Sequence, residues 1–163
     1  MGVNTSHLAF ERRIELAPLI VWDALVDPDL VEGWLGEATI DAAVGGRYII
    51  DWLPRTGRAP TEGVITELVA RSRLAIETVD LGRILFELEP FAGGDRGTGT
   101  IVRVSMSPPV EPAFVARVRA DWLTNLDQLG DLLRGHPVDW SNWERDRAKT
   151  WSRHLDDSAH FGA

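Results

Sequence analysis

The sequence predicts an α+β domain: an antiparallel sheet followed by one long C-terminal helix. Three observations carry this. From residue 37 to residue 107 the apolar residues recur with a period of two, in segments about ten residues apart, the mark of an antiparallel meander. Over 112–134 the period becomes 3 to 4, the mark of one apolar helix face. Ahead of the meander, Pro18 and Asp27-Pro28 punctuate the chain where helices start and stop.

Residues 8–16 read as a first strand that ends at Ala17-Pro18. Residues 19–26 form a short helix, which Asp27-Pro28 breaks. Asp27 caps a second short helix carrying Leu30, Val31, Trp34 and Leu35, with Gly36 at its end. A strand at 39–42 and the turn Gly45-Gly46 precede a strand at 47–53. In that strand Tyr48, Ile50 and Trp52 share one face, and Arg47 and Asp51 share the other, within pairing reach. A loop at 54–61 is followed by strands at 63–70, 73–80, 83–89 and 99–107.

Alternation along these strands gives each a buried face. The predicted buried set is Val64, Thr66, Leu68, Leu74, Ile76, Thr78, Ile84, Phe86, Leu88, Thr100, Val102, Val104 and Met106. The solvated set is Glu67, Glu77, Glu87 and Arg103. The long helix buries Val115, Val118, Trp122, Leu126, Leu129 and Leu133, and turns Asp121, Thr124, Asp127, Gln128 and Asp131 toward water. Gly135 and Pro137 stop it.

Domain organisation is read as residues 1–137 for the main domain and 138–163 for a Trp-rich C-terminal extension. Trp140, Trp143, Trp151 and Leu155 lie along one side of a helix in that extension. Three alternatives fit such a stripe: packing on its own domain, a homodimer contact, or a partner contact.

The net charge of −8 argues against a non-specific nucleic-acid binder. The absence of cysteine excludes disulfides, thiol nucleophiles and thiolate metal sites. No apolar run reaches the length of a membrane span, and the first ten residues lack a signal-peptide pattern, so the expectation is a cytoplasmic protein without membrane partners. The four histidines form no ligand-spaced pair, and no metal or cofactor is expected; His154, Asp156, Asp157 and His160 cluster near the C-terminus on a solvated end. The glycine-rich run 93–99 joins two strands and opens no helix, so it reads as a hairpin and not as a phosphate loop.

The order of elements and several local motifs resemble a known family. The motifs are Ile14-Glu15-Leu16-Ala17-Pro18, Val21-Trp22-Asp23-Ala24-Leu25, Asp27-Pro28 with Trp34, Val44-Gly45-Gly46-Arg47-Tyr48, Gly63-Val64-Ile65-Thr66-Glu67, and Trp122 with Asn125-Leu126-Asp127-Gln128-Leu129. Over about residues 8–135 the chain resembles the START-like (SRPBCC) superfamily, in the branch similar to the activator of Hsp90 ATPase homologue 1. The resemblance implies a helix-grip fold, a curved antiparallel sheet wrapped around the long C-terminal helix, with two short helices after the first strand. It also implies binding of a small apolar or aromatic ligand in a cavity between sheet and helix. The residues expected to line that cavity are Trp34, Tyr48, Ile50, Trp52, Phe86, Val102, Val104, Val118, Trp122 and Leu126. The alternatives that the family leaves open are a chaperone-interacting protein similar to the Hsp90 ATPase activator, and a polyketide cyclase-like enzyme. The inner register offers Tyr48 and threonines but no Asp, Glu or His, which favours binding over catalysis.

Overall fold

A computed structural model of the protein describes residues 7–93 and 97–161; part of the glycine-rich run, residues 94–96, and the side chains of His160 and Phe161 lie outside the described set. The elements in chain order are β1 (Leu8–Ile14), α1 (Pro18–Val26), α2 (Pro28–Val31), β2 (Gly36–Ile40), β3 (Arg47–Trp52), β4 (Thr61–Val69), β5 (Arg73–Thr78), β6 (Arg83–Ala92), β7 (Thr98–Met106), α3 (Pro112–Leu133), a 3-10 turn (Trp140–Asn142) and α4 (Trp143–Phe161). The seven strands form one antiparallel sheet in the order β1-β7-β6-β5-β4-β3-β2. The last strand thus pairs with the first, and the sheet curls around α3 as a half-barrel.

Local chemistry sets the early elements. Pro18 opens α1, and Asp27 Oδ1 accepts the Asp29 amide to cap α2. The cap holds as the sequence predicts, but α2 closes at Val31 and leaves Trp34 and Leu35 in the following turn. Thr100 Oγ1 donates to the Leu16 carbonyl at 2.7 Å, which fastens the start of α1 to β7. One core forms between the concave face of the sheet and α1, α2 and α3.

On β3 the predicted faces hold: Tyr48, Ile50 and Trp52 are buried. Asp51 pairs with Arg55 at 3.0 Å instead of with Arg47. On β5, β6 and β7 the predicted inward residues are also buried.

On β4 the prediction fails for half of the strand. Thr61, Gly63 and Ile65 are the buried residues, while Val64 and Thr66 are exposed. The cause is a β-bulge: Ile65 pairs with Ile76 but Glu67 pairs with Ala75, so one extra residue shifts the alternation. Beyond it Leu68 returns to the inner side and packs on the core, opposite Leu74. Glu67 stays outside, bonded to Arg73 and Arg83, and Arg73 also reaches Glu87.

The largest difference from the sequence reading concerns α3. Its polar side is partly buried, because α4 packs along it. Thr124 and Gln128, expected in water, are 3% and 1% exposed. Thr124 Oγ1 donates back to the Ala120 carbonyl at 2.9 Å, as a helical threonine does when no water is available.

Candidate functional site

The space between sheet and helix is built by β3, β4, β5, β6 and α3. Tyr48 points inward from β3, and its hydroxyl donates to the Leu25 carbonyl at 2.5 Å. Burial pushes its phenol pKa far up, so it remains a neutral donor. Four residues on, Trp52 donates its indole N–H to Thr61 Oγ1 at 2.8 Å, and that hydroxyl donates in turn to Asp80 Oδ2 at 2.6 Å. Thr78 Oγ1 donates to the Gly82 carbonyl at 2.8 Å and accepts the Leu81 amide at 3.0 Å. From α3, Trp122 meets Trp52 edge-on at 6.3 Å and Phe86 at 6.2 Å between ring centres.

These groups enclose an apolar void of about 10 Å³, lined by Leu35, Tyr48, Ile50, Thr61, Ile76, Thr78, Ile84, Phe86 and Trp122. A water molecule needs about this much room. Gly63 helps to keep the neighbouring walls close: a Cβ there would stand 2.5 Å from Ile76 Cγ2 and 3.1 Å from the Tyr48 carbonyl oxygen.

The outer side of this region is closed by polar contacts. In the loop at 53–60, Arg58 lies over the Trp52 ring at 4.1 Å, with one guanidinium nitrogen 3.9 Å from Asp121 Oδ2. The other oxygen of Asp121 accepts the indole N–H of Trp151 from α4 at 2.8 Å. Burial raises the Asp121 pKa above the ordinary aspartate value; the Trp151 bond and the charges of Arg58 and Arg117 pull the other way without cancelling it.

The ten residues expected at the site all join or pack against one core. Tyr48, Ile50, Phe86 and Trp122 line the void. Val102, Val104 and Leu126 are buried elsewhere in the core, Val118 packs on it half-buried, and Trp52 stands behind Thr61. Trp34 is fully buried beside α1, its indole N–H on the Ala24 carbonyl at 2.8 Å. Leu35, Thr61, Ile76, Thr78 and Ile84 also line the void; Ile76, Thr78 and Ile84 are on the face expected to be buried, and Thr61 falls in the expected loop. Thr61 was hidden by the β4 register, and the available signal was Gly63, since a glycine inside a strand marks a bulge or a close backbone approach.

A family model described as activator of Hsp90 ATPase homolog 1-like protein matches residues 16–134. Among solved structures, CalU16 from Micromonospora echinospora is similar at TM-score 0.70 and 22% identity, over 96% of this chain and 88% of that one. A conserved protein of unknown function from Enterococcus faecalis, EF2215, is similar at TM-score 0.70 and 21% identity, over 96% of this chain and 86% of that one. The Aha1 dimer from Colwellia psychrerythraea is similar at TM-score 0.63 and 21% identity, over 78% of this chain and 96% of that one. These likenesses agree on the helix-grip fold. Among curated proteins none matches this chain. No helix among the described residues is long and apolar enough to cross a membrane.

Proposed function

The chain belongs to the activator of Hsp90 ATPase homolog 1-like family, and on that premise we propose that it binds a small apolar or aromatic ligand between sheet and α3. The observation that carries this reading is the pairing of an apolar void with a polar cover. Tyr48, Phe86 and Trp122 form the walls, while Arg58 and Asp121, both partly exposed, close the outside. Exposed ion pairs contribute only about 0–1 kcal/mol. Loss of the Arg58–Asp121 pair by itself therefore costs little, and a bound ligand would gain its room by displacing the Trp52 and Trp122 rings, which here meet at 6.3 Å. The void's lining residues supply hydroxyls but no imidazole or carboxylate, which supports binding over turnover.

Native mass spectrometry of gently purified protein, compared with the denatured mass, tests this reading. The expected result is extra mass that is lost on denaturation. Fluorescence titration with the uncharged probe N-phenyl-1-naphthylamine should then give saturable binding with quenching of tryptophan emission. A bare mass together with no saturable binding of that probe overturns the reading.

A further inference from the structure

The void under Trp122 has one weak side. Most of its lining residues sit in paired strands: Thr78 stands opposite Gly63, and Ile76 stands opposite Ile65 and Ile84. The β3–β4 ladder, however, ends at the pair Ile50–Thr61. β3 runs on to Trp52 beside Gly36 of β2, with no backbone partner on β4. Across that gap the sheet is closed by a side-chain bond, from the Trp52 indole N–H to Thr61 Oγ1.

The loop at 53–60 leaves β3 at this point, and its residues 55–60 are exposed. Among the described residues none of 53–60 makes a backbone-to-backbone hydrogen bond, so side chains hold the loop. Arg55 ties it back to the sheet, bonding Asp51 at 3.0 Å and Glu37 at 2.6 Å. Arg58 covers the Trp52 ring and reaches across to Asp121 on α3. Gly57 stands between these two anchors at φ +83°, with no atom within 4 Å of a Cβ placed on it, so the chain turns there without steric hindrance.

Asp121 does not serve the loop alone. Its Oδ1 accepts the Trp151 indole N–H at 2.8 Å, while its Oδ2 faces Arg58 at 3.9 Å. A carboxylate is planar, so the short bond that fixes one oxygen also places the other. The longer contact, at the limit of an ion pair, therefore depends on the shorter one. Trp151 belongs to α4, and among the described residues α4 adds none to the apolar core. Its influence on the covered site runs through this polar bond.

Resting on the reading that a ligand binds between sheet and α3, we propose that it enters past Trp52, between the loop at 53–60 and α3, and that Trp151 is a positioning residue for this entrance. By holding Asp121 toward Arg58, α4 sets how often Trp52 is uncovered. A helix that supplies no wall of the void thereby governs the rate of exchange at the interior without touching the ligand.

The first readout needs no ligand. The Trp52 indole N–H exchanges with solvent only when its bond to Thr61 breaks and the ring is uncovered, and NMR of the full chain measures that rate. Arg58→Gln should speed it about fivefold, and so should Asp121→Asn, which keeps an acceptor for Trp151 but loses the charge that Arg58 meets. Trp151→Phe should speed it about threefold. The Trp34 indole, fully buried on the Ala24 carbonyl, should keep its wild-type exchange rate. Arg58→Gln combined with Trp151→Phe should be no faster than Arg58→Gln alone, because both act through one contact. In stopped flow with N-phenyl-1-naphthylamine, each variant should raise the association and dissociation rates by one common factor and leave Kd unchanged. The proposal is overturned if folded Trp151→Phe leaves Trp52 exchange unchanged, or if its effect adds in full to that of Arg58→Gln. Equal acceleration of Trp34 also overturns it, since that marks general loosening. The expected exchange rates without dye binding would remove the interior-binding reading and leave the hold of Trp151 on Asp121 standing; dye binding with unchanged Trp52 exchange would do the reverse.

Discussion

Gln128 accepts the indole N–H of Trp143 at 2.8 Å while its own amide donates to the Trp34 carbonyl at 2.7 Å. One buried side chain on α3 thereby joins the turn after α2 to the first residue of α4. Two antiparallel rows of contacts extend this seam: Trp143 with Gln128 and Trp151 with Asp121 in one, Arg147 with Asp131 and His154 with Asp127 in the other.

Replacing Gln128 by Met keeps the volume but removes both partners. It leaves the Trp34 carbonyl and the Trp143 indole unsatisfied in a nearly dry seam. A buried unpaired group costs about 1–3 kcal/mol, so Gln128→Met should destabilise the protein by about 2–4 kcal/mol in urea denaturation. A change below about 0.5 kcal/mol would show that water replaces the lost partners.

Truncation after Gly135 removes α4 and the segment that anchors it. That segment holds Val138, whose amide donates to the Gly33 carbonyl at 2.9 Å, and Trp140, whose indole donates to the Glu32 carbonyl at 2.6 Å. The indoles of Trp140, Trp143 and Trp151 all find acceptors within their own chain. Truncation should therefore lower stability by at least about 4 kcal/mol, at about 1 kcal/mol for each of these four lost hydrogen bonds, and leave the oligomeric state unchanged. Light scattering alongside thermal melting checks both halves; a drop in subunit number would place the tryptophan stripe between copies instead.

Gly63→Ala should destabilise by about 1–3 kcal/mol, the usual cost of overpacking. The new methyl collides with Ile76 Cγ2 and presses on the Tyr48 carbonyl, both parts of the void wall. Denaturant midpoints measure the loss, and near-wild-type stability would mean that β4 and β5 part easily.

Asp121 predicts a pH effect of defined sign. Its folded carboxyl binds a proton more tightly than the ordinary aspartate value of 3.8, because burial disfavours the charge. Its contribution to stability is therefore present below pH 3.8 and is lost as pH rises through the raised native value. Asp121→Asn removes this slope while keeping an acceptor for Trp151. The melting temperature of the variant should gain on that of the wild type as pH rises from 3.8. A constant difference across the series would show that the carboxyl titrates normally.

Much of the fold was legible because repeating patterns report which face of an element is apolar. β3, β5, β6, β7 and the apolar side of α3 were read on the correct faces for this reason. Turn chemistry was equally local: Asp27 caps α2 as its position before Pro28 suggests. β4 failed where the pattern is least informative. Val64 and Ile65 are both apolar, and a bulge at Ile65–Glu67 satisfies both ends of the strand with opposite parities.

The sequence by itself determined the order of elements, the sheet-and-helix architecture and the aromatic residues that surround Trp122, since each follows from spacing along a few consecutive residues. Tertiary structure alone decided that the interior void shrinks to about 10 Å³, that Thr124 and Gln128 are buried, and that an 820 Å³ groove opens between β1, α3 and α4. The groove's walls come from 12–16, 126–134 and 147–150, segments more than a hundred residues apart at the extremes. Periodicity states which side of an element avoids water; how closely two distant elements approach is set by packing between them, and that distance decides whether a polar face becomes a seam and an apolar face becomes a core or a site.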